Sequence, residues 1–207
     1  MLTIWGRMNS INVQKAVWTA EELGLTYIRH DAGMAFGVVN TPEYRAMNPN
    51  GLVPVINDDG FVLWESNTIV RYLCAKHAAG TSLWPDDLQV RADSDRWGDW
   101  QAYSFYQAYA DAFRILVRTP PEKRDMAVVE ASRARTEIHM AMLDGHLARQ
   151  EYLGRGGFGV GDLILAPTMH RWLNMPIARE PRPHVEAWHR RIIARPSAAC
   201  FRDLPVT

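Results

Sequence analysis

Strand-like patterns stop before residue 80 in this 207-residue chain, and only helix-like patterns follow. Short apolar segments at 2–5, 26–31, 53–56 and 61–64 are typical of strands, and helical spacing covers residues 12–22 and 66–77. A strand–helix–strand unit brings its two strands together in parallel, and the sequence NDDG at 57–60 is a strong hairpin signal. The first part is therefore predicted to be an α/β domain with the order βαβ–ββα.

The remainder is predicted to be all-helical. Helical spacing covers residues 88–117, 122–150, 161–175 and 183–195, and the third of these segments is apolar nearly all round, as expected of the buried helix of a bundle. A segment with Gly80 and Pro85 separates the two patterns. We expect an α/β domain at 1–79, a linker at 80–89 and a helical-bundle domain at 90–207.

Composition excludes several classes of function. Lys plus Arg and Asp plus Glu each number 23, which gives no reason to expect binding of nucleic acid or an anionic membrane. No apolar run is long enough to span a bilayer, and no leader is recognisable. The two cysteines are far apart and the seven histidines form no HExxH motif, so no metal is predicted and a reducing, cytoplasmic location is expected.

Pro54 lies inside a segment that otherwise has the pattern of a strand. A proline there either belongs to an edge strand, where it prevents further strand pairing, or follows a cis peptide bond. The pattern favours neither alternative. In the second case the Val53 N–H and C=O would point outward and could pair with an extended peptide, as in strand addition.

Two predicted helix starts carry polar side chains. Ser66 could be a simple N-cap, or its hydroxyl and the free N–H groups there could bind a carboxylate while Glu65 pairs with an ammonium group. Ser10 and Asn12 stand at the start of the first helix, where they could be ordinary caps or contact a ligand. With Val53, these sites describe a groove for a short peptide whose middle residue points at Ser10.

Taken together, these motifs show that the whole chain resembles a cytosolic glutathione transferase. NPNGLVPVI and ESNTIVRYL are similar to the cis-proline and glutamate–serine motifs of that family. SINVQKAVWTAEELGL and RWGDWQ resemble bacterial serine-type members of the theta-like and nu-like kind. The resemblance implies a thioredoxin-like N-terminal domain, an all-helical C-terminal domain, a homodimer, and glutathione as co-substrate without a metal.

The resemblance also implies roles for particular residues. Ser10 would be the principal hydrogen-bond donor to the glutathione thiolate and Asn12 a second donor or a positioning group. The glutathione-binding residues would be Asn50, Val53, Pro54, Glu65 and Ser66. A serine hydroxyl is a donor of suitable strength, because a charge-assisted hydrogen bond contributes about 1.5–3 kcal/mol and each unit of thiol pKa corresponds to about 1.4 kcal/mol.

The chain departs from the family pattern at two positions. Leu52 stands where relatives often have a basic residue, so Arg45, Asn50 or a dimer partner are the candidates to anchor the glycine carboxylate. Gly159 stands where a Ser or Thr cap is common before the buried helix, and Asp162 there is interpreted as structural.

The second substrate is expected to be a small apolar electrophile bound between the domains. Aromatic side chains at helical spacing are more often core than pocket. The pocket-lining candidates are nevertheless Tyr103, Tyr106, Phe113 and Trp172. Conjugation is the leading hypothesis; a glutathione-dependent disulfide reductase and a non-catalytic glutathione- or ligand-binding protein of the same fold are the alternatives.

Overall fold

The computed structural model describes residues 1–206. Four strands and nine α-helices follow in the order β1 (Leu2–Trp5), α1 (Ile11–Glu22), β2 (Tyr27–His30), α2 (Pro42–Met47), β3 (Val55–Asp58), β4 (Phe61–Trp64), α3 (Ser66–His77), α4 (Leu88–Trp100), α5 (Tyr106–Arg118), α6 (Met126–Leu147), α7 (Val160–Asn174), α8 (Pro183–Ile193) and α9 (Ala199–Arg202). The predicted βαβ–ββα order is confirmed. The described part of the chain has no helix that is both long and apolar enough to cross a membrane.

The four strands form one sheet in the order β2–β1–β3–β4. β1 pairs in parallel with β2, and β3 is antiparallel to both β1 and β4. The predicted crossover pair and the predicted hairpin are thus both present. Alternate apolar residues of the sheet, such as Ile4 and Ile56, pack against α1 and α3 and are completely buried.

Helix α3 begins at Ser66, where the predicted helical spacing also begins, but its N-cap is a different residue from the one considered. The N-cap position belongs to Glu65, which has a positive φ of 74°, and Ser66 is the first helical residue. Of the two alternatives considered for Ser66, the N-cap is therefore wrong. Residues other than glycine rarely adopt a positive φ, and such conformations concentrate at functional sites.

The region predicted as one long aromatic-rich helix is continuous but not uniform. A π-helical turn at residues 101–105 separates α4 from α5. This turn places Gln101 inside the protein, where only 2% of its surface is exposed. π-turns of this kind are frequent at functional sites.

Helix α7 is the buried centre of the helical half, as predicted. At its start the Asp162 carboxylate accepts hydrogen bonds from the backbone N–H of Gly159 (2.9 Å) and Leu153 (3.1 Å) and from the Trp188 indole (2.7 Å). Burial raises the pKa of Asp162 to about 6 even though these donors oppose the shift. Asp162 thus ties three segments together, which agrees with the structural role expected of it.

Polar contacts join the two halves of the molecule. Arg71 on α3 pairs with Asp95 (2.6 Å) and Asp99 (2.7 Å) on α4. The Trp18 indole of α1 donates to the Ser197 hydroxyl at 3.0 Å. These contacts fix the helical half against α1 and α3, and the cleft between the halves opens beside them.

Candidate functional site

Two adjoining cavities lie in the cleft between the halves, each of about 360 Å³. The first lies at the start of α1 and includes Ser10 and Val53 in its wall, and the second lies at the start of α3 and includes Glu65 and Ser66. Asn12 and Tyr106 line both. Most of the residues singled out from the sequence therefore share one continuous groove.

Ser10 precedes the first helical residue of α1 in an extended conformation (φ −95°, ψ 120°). Its carbonyl accepts the first intrahelical hydrogen bond, from Gln14, at 2.9 Å. Its hydroxyl does not cap the helix and has no hydrogen-bond partner within residues 1–206. The side chain is therefore free to donate into the cavity that it lines, next to the positive end of the α1 dipole.

The peptide bond between Val53 and Pro54 is cis, and β3 begins only at Val55. Val53 lines the first cavity, whereas Pro54 is buried beneath it. The carbonyl of the preceding Leu52 accepts hydrogen bonds from the Tyr44 hydroxyl (2.9 Å) and the Asn48 amide (2.9 Å). These two buried donors hold the segment that presents Val53 to the cavity.

Glu65 and Ser66 form the wall of the second cavity. The carboxylate of Glu65 is exposed, and the hydroxyl-bearing Ser66 is 7% exposed. As in any helix, the N–H groups of the first turn of α3 lack intrahelical acceptors. This end of the groove offers a negative side chain beside a set of free donors, which suits a group that carries both an ammonium and a carboxylate.

Lys15 lies behind the second cavity in α1 and is 2% exposed. Its ammonium group donates to the side-chain oxygens of Asn67 (2.9 Å) and Gln101 (2.7 Å). Burial lowers the pKa of Lys15 to about 7, although the charge of Glu65 opposes the shift. The sequence analysis missed this lysine, since its position on the helix is that of an ordinary core residue.

Three arginines that the sequence analysis also missed line the first cavity: Arg7, Arg118 and Arg171. Arg7 follows β1, whereas Arg118 ends α5 and Arg171 belongs to α7. Burial and the charges of the other two lower the pKa of Arg7. Residues so distant in sequence give no spacing signal, and only Arg7, close before Ser10, could have been noticed.

The four predicted pocket aromatics are not equivalent in the structure. Phe113 lines the first cavity and Tyr106 lines both, whereas Tyr103 is 80% exposed at the mouth of the second. Trp172 is completely buried in the helical core and lines neither cavity. Its expected place in the pocket wall is therefore corrected: α7 is apolar all round, so its sequence does not reveal which side faces the cleft.

Neither residue suggested as an anchor in place of Leu52 lines the cavities. Asn50 makes its contacts with the Asn48 side chain, at 3.0 Å from its N–H and 3.2 Å from its amide. Arg45 donates to the Pro49 carbonyl (2.7 Å) and the Asn40 side chain (2.8 Å). Both support the turn that carries Leu52, which is 65% exposed.

Two family models match the chain. Residues 9–76 match the glutathione S-transferase N-terminal domain, and residues 105–196 match the glutathione S-transferase C-terminal domain. The four-stranded sheet with its helices is the thioredoxin-like half of this architecture, and the helical half is the other.

Individual relatives give the same result over the whole length. Glutathione S-transferase GstB of Escherichia coli K12 is 40% identical over 209 residues, with full coverage of both chains. Glutathione S-transferase 3 of Zea mays is 32% identical, with 95% of this chain and 90% of the relative covered. The theta class glutathione S-transferase of Xanthomonas axonopodis pv. citri, solved with glutathione bound, has a TM-score of 0.95 at 44% identity, covering 100% of this chain and 99% of that one.

Proposed function

Because the chain belongs to the glutathione S-transferase family, we propose that Ser10 stabilises the thiolate of bound glutathione and that this thiolate attacks an electrophilic carbon. The activity of the protein is that of a glutathione transferase with glutathione as co-substrate.

The observation that carries the proposal is the free hydroxyl of Ser10. It stands at the start of a twelve-residue helix, does not cap that helix, and lines a cavity. The thiolate rather than the thiol is the nucleophile, and a free cysteine thiol has a pKa of about 8.5. One charge-assisted hydrogen bond of about 1.5–3 kcal/mol lowers that pKa by about one to two units, and the helix dipole adds a smaller contribution.

The rest of the tripeptide follows the groove from one cavity to the other. The γ-glutamyl end carries an ammonium and a carboxylate, which we assign to Glu65 and to Ser66 with the first turn of α3. The backbone of the cysteine residue pairs with Val53 as an added strand. Asn12, which lines both cavities, lies where it can donate to the same sulfur or orient the cysteine residue.

In the reaction, the sulfur of glutathione forms a bond to carbon while the leaving group departs with its electron pair. The thiol proton goes to solvent when glutathione binds, and Ser10 keeps its own proton because it acts only as a donor. No general base is needed if the bound thiol is already ionised near neutral pH.

Conjugation kinetics test the assignment of Ser10. Replacing Ser10 with Ala should lower kcat/KM by about tenfold or more while the KM for glutathione changes much less, since the lost hydrogen bond acts on the sulfur. Ser10→Thr keeps a hydroxyl and is the matched control, expected to retain most of the activity. Equal activity in the alanine variant would remove Ser10 from this role.

We also propose that the protein is a homodimer in which the first domain of one subunit contacts the second domain of the other. Apolar exposure on both domains supports this: Phe61 on β4 is 50% exposed and packs on Tyr72, with ring centroids 5.2 Å apart, and Ile138 on α6 is 72% exposed. Light scattering of the wild type and of Phe61→Ser tests the proposal, since the wild type should have the mass of two chains and the variant should dissociate at protein concentrations at which the wild type is still dimeric.

We propose a cytoplasmic location for the reaction. Glutathione keeps thiols reduced there, and both Cys74 and Cys200 are free. Fractionation of the producing cells, followed by detection of the protein in the soluble cytoplasmic fraction, tests this location.

A further inference from the structure

The first cavity has a strong excess of positive charge. Arg7, Arg118 and Arg171 line it, and none of its lining residues is an aspartate or a glutamate. None of the three forms an ion pair with a carboxylate within residues 1–206. Arg171 is buried and Arg7 is partly buried, while Arg118 is exposed. Charges removed from water are normally paired, so the unpaired Arg7 and Arg171, with a third cation in the same cavity wall, require an explanation.

Arg171 is the most deeply placed of the three, with 6% of its surface exposed. One of its terminal nitrogens donates to the Asn9 carbonyl at 2.7 Å. Its guanidinium carbon lies 4.3 Å from the centroid of the Phe113 ring, and that of Arg118 lies 4.8 Å from the same centroid. Both guanidinium groups therefore lie within cation–π distance of one buried ring, although they repel each other.

Bound glutathione does not account for all three charges. If glutathione binds as proposed above, its γ-glutamyl charges lie at Glu65 and Ser66, in the other cavity. Only the thiolate and the glycine carboxylate remain for the first cavity, and Arg7, which comes from the same domain as Ser10 and Val53, is the arginine placed to meet them. Arg118 and Arg171 belong to the helical domain, on the side of the cavity formed by Phe113 and Tyr106.

We infer that the second substrate is an electrophile that carries a carboxylate, bound by Arg118 and Arg171 above the Phe113 ring, and this inference rests on the proposed function. A planar guanidinium binds a carboxylate through two parallel hydrogen bonds, and Arg118 and Arg171 offer two such groups beside the same ring in the wall of one cavity. The apolar electrophile expected from the sequence is thus revised to an amphiphilic one, with an apolar body against Phe113 and Tyr106 and an anionic end.

A benzyl halide gives a simple form of the reaction. The glutathione thiolate attacks the benzylic carbon of 4-(chloromethyl)benzoate, the carbon–sulfur bond forms, and the carbon–chlorine bond breaks with release of chloride. The product is S-(4-carboxybenzyl)glutathione. The neutral counterpart, 4-(chloromethyl)benzamide, differs only in having a carboxamide in place of the carboxylate.

Binding of the two products isolates the carboxylate from the chemistry. Calorimetry should show that S-(4-carboxybenzyl)glutathione binds the wild type about tenfold or more tightly than its carboxamide analogue, because a charge-assisted hydrogen bond contributes about 1.5–3 kcal/mol. Arg118→Gln should reduce this ratio to about threefold or less. Arg118 suits the test because it is exposed and has no hydrogen-bond partner in residues 1–206, so its replacement should leave the fold intact.

Arg114→Gln is the matched control. Arg114 lies one turn earlier on the same helix, pairs with Asp111 at 2.6 Å, and does not line the cavity. This variant should keep the wild-type ratio, which would exclude a general effect of lowering the positive charge of α5.

Three outcomes would overturn the inference: equal binding of the two products by the wild type, an equal loss of both in Arg118→Gln, or the same change of ratio in Arg114→Gln. The second of these would mean that Arg118 binds the glutathione part. Failure of the proposed function would appear in a different measurement: turnover of 4-(chloromethyl)benzamide would be unaffected by Ser10→Ala. The two failures can therefore be distinguished.

Discussion

The ammonium group of Lys15 and the side-chain oxygen of Gln101 lie 2.7 Å apart across the interface between the two domains. Lys15 has no carboxylate partner in this contact; two amide oxygens are its acceptors. Burial lowers the pKa of Lys15 to about 7, the charge of Arg71 acts in the same direction, and the charge of Glu65 opposes both. A lysine in such surroundings should make folding stability depend on pH near neutrality.

The sign of this pH dependence follows from the number of protons bound by the folded and the unfolded state. From about pH 7 up to the ordinary lysine value of 10.5 the unfolded chain keeps the proton that the folded protein has lost, so stability rises with pH. Between about pH 7 and pH 8.5 this contribution amounts to about 2 kcal/mol at most. Urea unfolding at these two pH values should show that rise in the wild type and a smaller one in Lys15→Met. An identical pH dependence in the two proteins would contradict the low pKa of Lys15.

Close packing of α4 on α7 should depend on the absence of a side chain at Gly161. A Cβ atom there would stand 2.4 Å from the main-chain oxygen of Ser94, and backbone cannot move aside as a side chain can. Gly161→Ala is therefore expected to lower the free energy of unfolding by about 1–3 kcal/mol.

At Gly145 on α6, in the same domain, an added side chain should stabilise the protein instead of destabilising it. A Cβ atom there would meet nothing within 4 Å, so Gly145→Ala should raise the free energy of unfolding by about 1 kcal/mol through helix propensity. Denaturant unfolding of both variants tests the pair. Shifts of the same sign and size would show that packing at Gly161 is not the controlling factor.

Glu65 should affect glutathione binding more than the chemical step. The proposed partner of its carboxylate is the γ-glutamyl ammonium, far from the sulfur, so Glu65→Gln should raise the KM for glutathione by about tenfold with little change in kcat. Glu43→Gln, in the first turn of α2 and outside both cavities, is the control. A fall in kcat at unchanged KM would contradict the assignment.

Local signals explain why much of the fold could be predicted from the sequence. The hairpin turn at 57–60 and the buried pattern of α7 each depend on neighbouring residues, and the structure has both. The N-cap of α3 is Glu65 and not Ser66, and the sequence could not show this because the positive φ of Glu65 is set by the surrounding structure and has no signature in its residue type.

The site was predictable only in its N-terminal half. Ser10, Val53, Glu65 and Ser66 belong to short motifs of one domain, whereas the opposite wall of the first cavity is built from α5 and α7. Arg118 reaches Phe113 from five positions further along the same helix, whereas Arg171 is brought to that ring by the packing of α7, and no spacing in the sequence predicts a contact between residues more than fifty positions apart. For the same reason Trp172 could not be assigned to the core rather than the pocket wall.

Ultraviolet titration of bound glutathione tests the central claim most directly, because the thiolate absorbs where the thiol does not. In the wild type the pKa of the bound thiol should lie about one to two units below 8.5. It should rise by about one unit or more in Ser10→Ala and stay low in Ser10→Thr. The same thiol pKa in the wild type and Ser10→Ala, with glutathione bound to both, would contradict the account.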